Sequence, residues 1–135
     1  MAESYAFQIS LKLNFDTAVE RVSDALAEEG FGVLTEIDVK ETMQEKLGEE
    51  FRRYTIFGAC NPPLAHKALN SEPLVGLMLP CNVTVEETSR GSLVSILNPR
   101  AMLNVGPLSE NQEVQEVAQD AAQRLERVAD TLQEG

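Results

Sequence analysis

From Tyr5 to Leu13 the side chains alternate without a break: Tyr5, Phe7, Ile9, Leu11 and Leu13 fall on one face, and Ala6, Gln8, Ser10 and Lys12 on the other. A period of two is the pattern of a strand with one buried face, and a helix would scatter those apolar residues around its whole circumference. One such strand is not stable alone. The chain must therefore assemble a sheet, cover one of its faces, and deal with its two edges.

The following segments supply the cover. Asn14, or Thr17 with Glu20, can cap a helix whose stripe of Val19, Val22, Ala25 and Leu26 stops at Gly30. Phe31, Val33, Thr35 and Ile37 alternate again and predict a second strand, after which Asp38 with Glu41 opens a short helix ending at Gly48. A third strand is expected from Arg52 to Cys60. It gives way at Asn61-Pro62, where Asn suits an N-cap and Pro the first helical position. Leu74 to Thr88, interrupted at Pro80, and Ser92 to Asn98 read as two strands joined by the turn Ser89-Arg90-Gly91. One helical turn is expected around Arg100 to Leu103. Ser109 with Gln112 then opens a last helix, with Val114, Val117, Ala121, Leu125, Val128 and Leu132 on its apolar face.

With 135 residues, no internal repeat and no linker composition, these elements predict one domain spanning residues 1–135, of the α+β class, with a single mixed or antiparallel sheet backed by helices. No apolar run reaches membrane-spanning length and the first residues lack a leader pattern, so a cytoplasmic protein with no membrane partner is expected. The net charge of −11 opposes phosphate backbones and argues against a nucleic-acid partner. That charge is uneven. Residues 51–108 hold three acidic and five basic side chains, and the same stretch contains Cys60, Cys81 and the single histidine, His66.

Two like tripeptides stand out there, Ala59-Cys60-Asn61 and Pro80-Cys81-Asn82, each beside a proline. Cys60 immediately precedes a helix start, a setting that can make a cysteine nucleophilic or metal-binding. The plainer alternative is that both are small buried hydrophobes, as free cysteines commonly are. Cys60, Cys81 and His66 could offer three ligands to a metal ion, although zinc prefers four and no Cys-x-x-Cys occurs. His66 also reads simply as a surface side chain. Arg53, Lys67, Arg90 and Arg100 could hold a small anionic molecule or be scattered surface charges. Adjacent carboxylates such as Glu49 and Glu50 read as solvated surface, because neighbouring side chains diverge. No phosphate loop, nucleophile elbow or dinucleotide fingerprint is present.

The stretch Gly30-Phe31-Gly32-Val33-Leu34-Thr35-Glu36-Ile37-Asp38, then Ala59-Cys60-Asn61-Pro62 with Ala65 and Ala68-Leu69, then Leu79-Pro80-Cys81-Asn82-Val83, then Asn98-Pro99, resembles the domain of unknown function 302 family. The resemblance covers about residues 5 to 130. It implies a fold of the TATA-box-binding-protein-like type, a curved sheet backed by helices, and a homodimer. It implies no activity and offers no catalytic residues.

Three functions compete. The first is a homodimeric binding or sensor module whose ligand or metal site lies near Cys60, Asn61, Cys81 and Asn82. The second is a cysteine-dependent redox or transfer enzyme with Cys60 as nucleophile and Cys81 as resolving partner. The third is a structural dimer whose cysteines only fill space. No residue stands out as a general base, which ranks the enzyme below the module.

Overall fold

The opening alternation produces β1 (Ala6–Leu11), which begins a computed structural model describing residues 4–134. Asn14 Oδ1 accepts from Thr17 N at 2.8 Å and starts α1 (Phe15–Glu28). β2 (Gly32–Asp38) and α2 (Val39–Leu47) follow, then β3 (Tyr54–Cys60) and α3 (Pro62–Ser71). After a 3-10 segment at Pro73–Met78 come β4 (Cys81–Thr88), β5 (Gly91–Leu97), the single turn α4 (Pro99–Met102) and, beyond a second 3-10 segment, α5 (Gln112–Glu134).

The five strands form one sheet in the order β1-β5-β4-β3-β2, every neighbour antiparallel. Register puts Ile9 opposite Val94, Val94 opposite Val85, and Val83 between Ile96 and Phe57, so one face is continuously apolar. Helices α1 and α5 lie on that face and add Val22, Leu26, Leu125, Val128 and Leu132 to a shared core. Each fully buried leucine there contributes about 1.5–3 kcal/mol. The other face carries Gln8, Ser10, Thr84, Glu86 and Ser95 on its strands. A second apolar cluster, with Ala68, Val75, Leu103, Val114 and Val117, joins α3 to the first half of α5.

Three expectations need correction. The alternation in β2 is broken by a bulge between Val33 and Thr35: Val33 pairs with Ala59, but Thr35 pairs with Gly58 and Ile37 with Ile56, so Val33 falls on the face opposite to Thr35 and Ile37. β2 is also an edge strand, and every residue in it is exposed. The segment before Pro80 is a 3-10 helix, because Pro73 occupies its start, Glu72 Oε2 accepts from Leu74 N at 2.8 Å, and only Val75 of the segment is buried. The last helix is capped by Asn111, whose Oδ1 accepts from Val114 N at 3.0 Å, while Ser109 Oγ donates to the Gly106 carbonyl.

Candidate functional site

The sequence around Cys60 forces a strand to end and a helix to begin within two residues. Pro62 has no N–H to extend the ladder, and Asn61 Oδ1 accepts from Leu64 N at 3.3 Å to cap α3. Asn61 is 7% exposed, and its Nδ2 donates to the Glu29 carbonyl at 3.4 Å, the same carbonyl that accepts from Arg124 Nη1 at 3.1 Å. Both ends of this amide are thus occupied in tying α3 to the end of α1. Gly30 adapts to it: its φ is +84°, and a Cβ there would approach Asn61 Nδ2 to 3.0 Å.

Cys81 arrives from the neighbouring strand. Its cross-strand partner is Ala59, so Cys81 shares the core face with Ala59, while Cys60, one residue on, alternates to the other face at the end of β3. Pro80 packs over Gly58, where an added Cβ would collide with Thr35 Oγ1 and come within 2.7 Å of the Pro80 ring. Both cysteines are free thiols and half-buried. They line one narrow slot of about 30 Å³ between the ends of β3 and β4 and the helices α3 and α5, walled by Leu64, Ala68, Leu103, Val117 and Ala121. No charged side chain lines it. Burial first, and the neighbouring Cys60 second, push the Cys81 thiol up from its ordinary 9.0 to about 11.

The other candidates lie elsewhere. Asn82 is exposed and sits in a shallow hollow on the opposite sheet face, with Tyr5, Tyr54 and Ser95. His66 is exposed on α3, its Nε2 3.2 Å from Asn70 Nδ2, and does not line the slot. Among the described residues no group of three or more His, Cys, Asp or Glu is placed to hold a metal ion, so the set Cys60, Cys81, His66 does not assemble. Three of the cations named as an anion site have separate partners: Arg53 with Asp16 at 2.8 Å, Lys67 with Glu116 at 3.0 Å, and Arg100 with Glu126.

Sequence reasoning missed two things. One is the small-residue wall of the slot, signalled only by the alanines at 65, 68 and 121 on facing helices. The other is an open groove of about 910 Å³ under α2, lined by Asp38, Glu41, Glu45, Glu49, Glu50 and Phe51 among others. There Glu45 first, and Asp38 as well, hold the Glu41 carboxyl above its ordinary range by repulsion.

The family model for the domain of unknown function DUF302 matches residues 7–132. The chain belongs to the DUF302 family. A crystal structure of an uncharacterized conserved DUF302 protein from Bacillus stearothermophilus is 28% identical, covers 96% of this chain and 99% of that one, and superposes with a TM-score of 0.85. No curated protein matches the sequence. The DUF302 fold is thus an antiparallel open sheet packed against helices, and the slot lies where two of its strands end. No helix among the described residues is long and apolar enough to cross a membrane.

Proposed function

We propose that this DUF302 chain is a homodimeric binding module whose site is the slot between Cys60 and Cys81, suited to a small species that seeks sulfur. The supporting observation is the slot itself: two thiols share a narrow apolar lining in which the one polar side chain, Asn61, is already bonded at both ends. The slot, of about 30 Å³, suits a small group better than a bulky metabolite. Dimerisation is supported at the far edge of the sheet, where Leu34 is 67% exposed, Ile37 49% and Leu47 of α2 66%. An edge strand with apolar side chains on an acidic surface suits burial against a second copy.

The redox reading stands second, favoured by two free thiols on paired strands, of which burial holds Cys81 protonated at neutral pH. Native mass spectrometry of the reduced chain tests the first reading. After brief exposure to methyl methanethiosulfonate, a dimer with one methylthio group per chain, mapped to Cys60, is expected. A chain that takes no adduct until denatured would remove the site, and a monomer at micromolar concentration would remove the dimer.

A further inference from the structure

We propose that the open face of the sheet is the contact surface between two copies of this chain, packed face to face about a two-fold axis at β4. This rests on the reading of the chain as a homodimer and carries its contact inward from the β2 edge. The surface follows from register. Gln8, Ser95, Thr84, Ile56 and Ile37 stand in one row across all five strands, and Leu93, Glu86 and Tyr54 in the next. Alternation turns both rows away from α1 and α5, which pack on the other face. Ile56, Leu93 and Tyr54 are only half-buried there, and Ile37 is 49% exposed.

Charge sets this face apart from the rest of the surface. Charged residues make up 24% of the chain, which carries a net −11. Among the described residues the strands turn one charged side chain onto this face, Glu86, and Arg52 neutralises it at 2.7 Å. Depletion of charge with retained aliphatic and aromatic side chains is the composition of an interface centre. It also selects the partner. Two acidic chains repel through their charged faces, and a basic partner would be drawn to those same faces, whereas the sheet face gives an unlike protein no charge to read. Its hydroxyl and amide groups both donate and accept, so each can pair with its own copy across a two-fold axis, which carboxylates cannot do. The size suits a dimer. Five strands about 4.8 Å apart and about 20 Å long present roughly 500 Å² in projection, and side-chain relief raises the accessible area toward the ~800 Å² per partner of a standard interface. β4 is the central strand and Thr84 lies in its middle, so a two-fold axis there sets Thr84 opposite its own copy.

The test is sedimentation velocity of the full chain at micromolar concentration, with Thr84→Glu and Thr84→Lys as variants. The unaltered chain should sediment at twice the chain mass. Each variant alone should dissociate at least 100-fold more readily, because like charges meet at the axis, and an equimolar mixture of the two should restore the dimer. Circular dichroism checks that each variant is folded. If either is not, hydroxyl-radical footprinting of the unaltered chain decides, with Tyr54 and Leu93 protected as the chain is concentrated. Dimers that persist in both variants, a mixture of folded variants that stays monomeric, or a dimer with no protection of Tyr54 and Leu93 would overturn this surface and leave the homodimer standing. An unaltered chain that is monomeric would overturn both and leave the face to solvent. Neither result bears on the slot, which the methylthio experiment tests separately.

Discussion

The two ends of β3 open onto two different hollows, and the roomier one offers less chemistry. Beyond Tyr54 the groove under α2 holds about 910 Å³, against about 30 Å³ in the slot beyond Cys60. Yet the groove's two cations and one of its acids are already engaged. Arg52 meets Glu86 at 2.7 Å and lies over the rings of Phe51 and Tyr54, Lys40 donates to the Phe51 carbonyl at 3.2 Å, and Asp38 caps α2 through Glu41 N at 3.0 Å. Its carboxylates face open water and repel one another. The lining of the slot includes both cysteines and no charged side chain. Uncommitted reactive groups mark a site better than volume does.

The contrast is sharpest if the two hollows are filled. Ala68 is 1% exposed and joins the slot wall to the second apolar cluster, so Ala68→Leu should overpack it and lower the unfolding free energy by about 1–3 kcal/mol in urea titrations. Gln44→Leu, in the open groove, should stay within about 0.5 kcal/mol. Equal losses would mean that the slot is no more tightly built than the groove.

Titration separates the same regions. The Cys81 thiol ionises near pH 11 when folded and near its ordinary 9.0 when unfolded, so the folded state keeps its proton longer. The stability this lends is complete below pH 9 and is lost as pH rises toward 11, on the order of 2 kcal/mol. Denaturant midpoints compared between the unaltered chain and Cys81→Ala should diverge across that window. Parallel curves would show a Cys81 thiol in contact with water.

At the exposed edge, Ile37→Lys should weaken the proposed dimer at least tenfold in light scattering, because a charge would enter an apolar contact, while leaving subunit unfolding nearly unchanged. An unaltered mass would place the dimer contact elsewhere. The smallest effect belongs to the groove. Glu41→Gln removes repulsion from Glu45 and Asp38 and should raise the melting temperature slightly at pH 7, with no gain below about pH 4, where the carboxyls are protonated.

Much of this architecture was legible in the residues. The alternation in β1, the Asn14 and Asp38 caps, the Asn61-Pro62 helix start and the stripe of α5 are local signals that tertiary packing reinforced. β2 departs from its alternation because a bulge shifts its side chains between faces, and nothing in the run Val33-Leu34-Thr35 announces the extra residue. Leu74 to Leu79 looked like strand because its apolar run is short and dense, a pattern that periodicity alone cannot resolve. The nearness of Cys60 and Cys81 depends on β3 pairing with β4 in one particular register, and that pairing spans twenty residues of intervening helix and turn. The likeness of the two Cys-Asn tripeptides pointed there. It also suggested equal roles for the asparagines, whereas Asn61 is buried in the helix cap and Asn82 faces solvent on the other side of the sheet.

Whether the slot presents a usable thiol is tested most directly by the rate at which each cysteine alkylates in the native protein. With iodoacetamide at pH 7 and peptide mapping over time, Cys60 should label first. Cys81, whose thiol burial pushes up to about 11, should remain unmodified until the chain unfolds. Equal labelling of both would contradict the burial of Cys81, and silence from both until denaturant is added would show two thiols that only fill space.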